Sequence, residues 1–129
     1  MADEILSNEE IDASILYSIK KTLGINPQDK SFDVDLLLFV NSVFSELCQL
    51  GVGPSEAFSI RDESTNWEDF VSDSDIAMVK AYVLLDVKLM FDPPASSTVL
   101  SAMEKKRDEY EWRLNVAGDN KLYYVEEAE

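Results

Sequence analysis

The sequence predicts an all-α protein: a small bundle of four main helices, a long loop between the second and third, and a short C-terminal extended segment. Three observations predict it. Apolar residues recur at helical spacing over four stretches. Each stretch opens after a serine and closes at a glycine or proline. The acidic charge lies in segments that flank those stretches rather than interrupting them. With 129 residues, 46% of them hydrophobic, the length fits one domain over 1–129 around a single core. Residues 1–7 and 118–129 are expected to be flexible acidic ends.

The first predicted helix covers 8–23. Ser7-Asn8-Glu9-Glu10 reads as a capping box, with Glu10 reaching back to the cap. Ile11, Ile15, Leu16, Ile19 and Leu23 then follow at helical spacing. Lys20 and Lys21 complement the dipole in the last turn, Gly24 supplies a left-handed stop, and Pro27 forbids continuation.

The second predicted helix, 31–50, places Asp33 and Asp35 in its first turn. Its run Val34-Asp35-Leu36-Leu37-Leu38-Phe39-Val40 is apolar almost all round, the mark of a central helix covered on several sides. Leu50-Gly51-Val52 has the form of a Schellman end, with Gly51 at positive φ and Val52 folding back on Leu47. Residues 54–73 read as an irregular connection with an extended piece at Phe58-Ser59-Ile60. Thr65-Asn66-Trp67-Glu68 reads as a second capping box, carrying Trp67 and Phe70 inward as core anchors.

The third predicted helix, 73–91, opens at Ser72 or Ser74 and is apolar on nearly every face from Ile76 to Phe91. A chain this small cannot easily bury both sides, so one side is expected to pack on a neighbouring subunit. Asp92-Pro93-Pro94 stops it, because a residue before proline is pushed out of helical geometry. The fourth, 96–116, lines one face with Val99, Met103, Tyr110 and Leu114 and ends by Gly118. The expected core is Ile15, Ile19, Leu37, Phe44, Val79, Val83, Val87, Met103 and Tyr110. Beyond Gly118, Leu122-Tyr123-Tyr124-Val125 is compact, apolar and β-prone, and is expected as an extended segment that meets a partner.

Composition excludes several functions. The formal net charge is −15 and the pI near 4.2. Nearly all of that charge lies in residues 1–12, 56–75 and 119–129. The one basic cluster, Lys105-Lys106-Arg107, is interleaved with Glu104, Asp108 and Glu109 and reads as a solvated helix face. Gripping a nucleic-acid backbone needs clustered, unneutralised bases, so specific DNA binding is not expected. There is no histidine, one cysteine (Cys48) and no glycine-rich phosphate loop. Zinc sites and Ser-His or Cys-His catalysis are therefore excluded, no cofactor is expected, and an enzyme is the weaker hypothesis. No run approaches the ~20 apolar residues of a membrane span, and the acidic N-terminus is the opposite of a signal peptide.

Five groups of residues occur in an order that carries a family resemblance. They are Ser31-Phe32-Asp33-Val34-Asp35-Leu36-Leu37, Gln49-Leu50-Gly51-Val52-Gly53-Pro54, Trp67-Glu68-Asp69-Phe70, Phe91-Asp92-Pro93-Pro94 and Glu111-Trp112-Arg113-Leu114-Asn115-Val116. Over roughly residues 10–117 the chain resembles the head–tail connector (adaptor) proteins of long-tailed phages of Gram-positive bacteria. The resemblance implies a non-enzymatic virion protein of the neck, made in the host cytoplasm. It implies a homo-oligomeric ring, dodecameric in the virion, between the portal protein and a stopper or tail-completion protein. DNA would pass through the lumen without specific binding. The acids Glu63, Glu68 and Asp69 would line that lumen, and Leu122, Tyr123, Tyr124 and Val125 would dock on the portal. Two readings from other classes stand beside it: an acidic DNA mimic, and a small antitoxin-like interaction module.

Overall fold

The computed structural model describes residues 6–54, 56–71 and 75–128, with side chains through Gly118. These residues form six helices: α1 (Asn8–Ala13), α2 (Ile15–Leu23), α3 (Asp33–Gln49), α4 (Trp67–Phe70), α5 (Ile76–Phe91) and α6 (Ser97–Ala128). Among the described residues there is no strand, only an isolated antiparallel bridge between Ser14 and Asn66. The fold is all-α, as the sequence predicts.

The first expected helix is split at Ser14, whose backbone is extended (φ −78°, ψ 133°). The reason is tertiary. The Ser14 hydroxyl donates to the Glu63 carbonyl at 2.7 Å, and the Ile15 N–H donates to the Thr65 carbonyl at 3.1 Å. The loop thus takes over groups that a continuous helix would satisfy internally. Ser14 also caps α2, accepting the Tyr17 N–H at 3.3 Å. At the start of α1, Ser7 accepts the Glu10 N–H at 3.1 Å, the Ser7 half of the expected capping box.

Both left-handed helix ends form as expected. Gly24 has φ 74°, and the Ile25 N–H reaches the Lys20 carbonyl at 2.8 Å. Gly51 has φ 84°, with the Val52 N–H on the Leu47 carbonyl at 3.0 Å, the 6→1 bond of a Schellman motif. Lys20, read as a dipole-complementing residue, does more than that. It is 1% exposed, and its Nζ sits 2.6 Å from Asp33 Oδ1, 3.2 Å from the Pro27 carbonyl and 3.0 Å from the Asp29 carbonyl. One ion pair and two hydrogen bonds thus tie the end of α2 to the start of α3.

The core gathers Ile15, Leu16 and Ile19 of α2, Leu36, Val40, Val43, Phe44 and Leu47 of α3, and Val79, Tyr82, Val83 and Val87 of α5. Three of the expected core positions are corrected. Leu36, not Leu37, is the fully buried leucine of α3, and Leu37 is partly buried. Met103 and Tyr110 are half-buried, while Leu114 supplies the buried contact of α6. The physical reason is helix rotation: residues one apart lie about 100° apart around the axis, and an all-apolar run gives no inward direction.

The roles of the two apolar helices are exchanged relative to expectation. α5 contacts α2, α3, α4 and α6 and is the central helix. Its surplus apolar surface is therefore covered largely within the chain. α3, expected to be covered, leaves Val34 and Leu38 open to solvent.

The C-terminal part also departs from expectation. Gly118 does not end the helix; α6 continues to Ala128, about 48 Å in all at 1.5 Å per residue. Leu122–Val125, expected as extended, is helical. Gly118 is a contact residue instead. A Cβ there would collide with the Leu50 carbonyl oxygen, so the glycine lets α6 cross close to the end of α3.

Candidate functional site

The long loop is a polar surface fastened from beneath. Asn41 on α3 holds it in two directions, donating to the Ile60 carbonyl at 3.1 Å and accepting the Ile60 N–H at 2.8 Å. Phe58, Trp67 and Phe70 pack around Phe44, with ring centroids 5.0, 6.4 and 4.7 Å away respectively. The Trp67 indole N–H donates to Ser18 Oγ at 3.0 Å. Gly53 gives Phe70 its place, since a Cβ at 53 would strike that ring. The loop aromatics are therefore core anchors, as the sequence indicated.

The acids named from the sequence occupy three different settings. Glu63 is half-buried in an open groove of about 450 Å³, which it shares with Glu9, Glu10 and Tyr17. Glu68 is exposed beside a second hollow of about 270 Å³, which is lined also by Asp12, Trp67 and Lys80. Asp69 is exposed too, but its carboxylate accepts the Asn66 N–H at 2.8 Å and caps α4. The capping box is thus Asn66 with Asp69, one residue beyond the Thr65–Glu68 pair read from the sequence. Asp62 closes an Asx-type turn, and its bonds from the Ser64 hydroxyl and N–H hold its carboxyl below the usual range. Among the described residues no three carboxylates or thiols are placed to hold a metal ion.

A polar group reaching from buried Tyr82 and Asp86 to exposed Glu46 and half-buried Arg107 joins α3, α5 and α6. The Tyr82 hydroxyl donates to Glu46 at 3.3 Å, and Arg107 Nη1 lies 3.5 Å from the Asp86 carboxylate. Burial pushes the Asp86 carboxyl up, and the Arg107 charge works against that rise. Burial, helped by the Asp86 charge, likewise raises the Tyr82 phenol well above its ordinary value. Sequence reasoning placed Arg107 on a solvated face and passed over Asp86. The only sequence signal was a single acid inside a largely apolar helix.

Besides Val99 of α6 and Met90 of α5, two sets of apolar residues at helical spacing are exposed. On α3, Val34 is 80% and Leu38 68% exposed, and the half-exposed Phe32 packs edge-on against Phe91 at 5.4 Å. On α6, Trp112 is 66% exposed, with Val116 one turn further on. Leu122, Tyr123, Tyr124 and Val125 lie on the same helix, but their side chains fall outside the described part of the structure.

A small all-α chain with firmly held polar loops and uncovered apolar stripes on two helices is built for contact with other proteins. Residues 15–121 match the family model described as phage connector protein, and the chain belongs to that family. Its class is thereby structural, a component of the phage neck at the head–tail junction of the virion that interacts with other head and tail proteins. This agrees with the resemblance read from the sequence and favours it over the DNA-mimic and antitoxin-like readings. No curated protein and no solved structure matches the chain.

Proposed function

We propose that copies of this chain form a ring, dodecameric in the virion, between the portal protein and the stopper or tail-completion protein. The observation that carries this reading is the pair of uncovered apolar stripes on different helices of a connector-family chain. A closed ring needs two unlike surfaces on every subunit, because each copy meets one neighbour with one face and the next with another. The excess acid then has a mechanical role. A lumen lined by carboxylates repels phosphate and lets DNA slide, where a basic lumen would hold it.

Glu63 and Glu68, on the outer side of the fastened loop, are the residues proposed to face that lumen. Asp69 joins them while also capping α4. The end of α6, including Leu122, Tyr123, Tyr124 and Val125, is proposed as the portal contact. It would enter as a helix laid into a groove rather than as an added strand.

Negative-stain microscopy of the purified protein, with and without its portal, tests the ring. Rings, free or on the portal, are expected; a protein that stays monomeric in both preparations overturns the reading. Duplex DNA should show no mobility shift at physiological salt, since a charge of −15 offers no counterion release to offset phosphate repulsion. Tight binding would sink the sliding-lumen argument.

A further inference from the structure

We propose that α1 and α2 form a two-position element: bent at Ser14 while residues 63–66 are seated there, and one continuous helix from Asn8 to Leu23 when that loop lifts. Such a device lies within one subunit, goes beyond the ring reading and does not depend on it. Nothing in the local sequence requires a break. No glycine or proline lies between Ser7 and Gly24, and Ile11, Ile15, Leu16, Ile19 and Leu23 keep one helical face across Ser14. A sharp break without those residues marks a group inserted into the helical ladder. Here the inserted groups are the Glu63 and Thr65 carbonyls, which accept from the Ser14 hydroxyl at 2.7 Å and the Ile15 N–H at 3.1 Å.

The two positions differ little in hydrogen bonding. In the bent form the Ile15 N–H donates to Thr65 and the Tyr17 N–H to Ser14 Oγ. In the straight form both return to the carbonyls four residues back, Ile11 and Ala13, and the Ser14 hydroxyl turns to the Glu10 carbonyl. The Ser14 N–H already reaches the Glu10 carbonyl, and the Ser18 N–H the Ser14 carbonyl, as in a continuous helix. The released loop carbonyls belong to half-exposed residues, within reach of water. One torsion makes the change, Ser14 ψ, from 133° to about −42°. α1 has no buried residue, so it swings without uncovering core; it gives up the bond from Lys80 Nζ to the Asp12 carbonyl at an exposed edge. α2 stays in place, because Ile15, Leu16 and Ile19 are buried and Ser18 holds the Trp67 indole. The groove between α1 and the loop, bounded by Glu9, Glu10 and Glu63, exists only in the bent form. A protein that draws the loop away therefore re-aims α1 and its acids.

Nuclear magnetic resonance reads both halves: the Cα chemical shift of residue 14 reports its backbone, and relaxation order parameters report the loop. The unsubstituted chain should show an extended residue 14 and ordered residues 63–65. Ser14→Ala removes a helix cap and a loop bond together, and should move the balance toward the straight form about tenfold or more. Residue 14 then gives a helical shift while the order parameters of 63–65 fall. A helical residue 14 with the loop still ordered, in any form of the chain, overturns the proposal.

A metal clamp provides an independent arm. The chain has no histidine, so the double variant Ala13→His, Tyr17→His carries its only imidazoles. Four residues apart, they chelate Zn2+ when the turn across Ser14 is helical. Zn2+ should turn residue 14 helical and loosen 63–65. By reciprocity it should bind about tenfold tighter once Ser14→Ala is added. The pair Ser101→His, Lys105→His, on exposed positions of α6, is the control and should bind Zn2+ equally with and without Ser14→Ala. A clamp at 13 and 17 that fails to bind where the control binds, or that binds alike with and without Ser14→Ala, overturns the proposal. So does a residue 14 that stays extended both in Ser14→Ala and under Zn2+.

Discussion

Replacing Gly118 by alanine sets helix propensity against tertiary packing. In a free helix interior alanine is better than glycine by about 0.8–1 kcal/mol. At this position the new Cβ would overlap the Leu50 carbonyl oxygen and lie 3.0 Å from the Leu50 carbonyl carbon and 3.2 Å from that of Gly51. All three are backbone atoms, which no rotamer change relieves. Overpacking costs about 1–3 kcal/mol, and direct overlap with a backbone oxygen puts this site in the upper part of that range, about 2–3 kcal/mol. After the propensity gain, a net loss of about 1–2 kcal/mol is expected, or roughly 3–10 °C in Tm for a chain of this size. Urea unfolding followed by circular dichroism measures it. A glycine at the left-handed end of a shorter helix would resist alanine too, so a second variant separates the cases. Asn120→Pro should break a helix that runs through to Ala128 and lower the 222 nm ellipticity, whereas a helix ending before Gly118 would be indifferent. A neutral or stabilising Gly118→Ala, or an Asn120→Pro of unchanged helicity, refutes the crossing of α6 over the end of α3.

Three further outcomes follow from the packing. Leu36→Asp should abolish soluble folding, because it buries an unpaired charge, while Leu37→Asp on the partly buried face should remain foldable; expression and circular dichroism of the pair check this. Lys20→Ala leaves the Asp33 carboxylate without its buried partner and should cost about 3 kcal/mol by denaturant unfolding, with the Lys20→Ala, Asp33→Ala double variant losing less than the sum of the singles. Asp86 governs a pH dependence: its carboxyl is raised in the folded state by burial, so the folded chain takes up this proton before the unfolded chain does. Its unfavourable contribution is therefore present at neutral pH and relieved as pH falls through the range just above the ordinary carboxylate value of about 4. Asp86→Asn should flatten the pH dependence of stability in that window, and an unchanged slope would show that Asp86 is not the group responsible.

Much of the fold was legible because its signals are local. Ser7, Gly24, Gly51 and Pro93 act through their own backbone and nearest neighbours, and each marks a boundary that the structure keeps. The ordered residues that resembled connector proteins likewise identified the family. Of the candidate site, the sequence named the acids of the long loop and the C-terminal apolar group, whose roles stand as proposals. It did not supply the half-burial of Glu63, the use of Asp69 as a cap, or the Asp86–Arg107 pair, since each depends on a residue distant in the chain or on local geometry that the sequence fits in more than one way.

The sequence by itself determined an all-α chain, the stops of its helices, a net charge of −15, and membership of a family of neck proteins. Tertiary structure alone decided which apolar residues are left uncovered. A run such as Val34 to Val40 is apolar all round, so its inward direction is set by whichever neighbours arrive, and here they cover Leu36 and Val40 and leave Val34 and Leu38 to solvent. The same holds for glycine. Its lack of a side chain serves a left-handed turn at Gly51 and a close backbone crossing at Gly118, and only the position of Leu50 distinguishes the two.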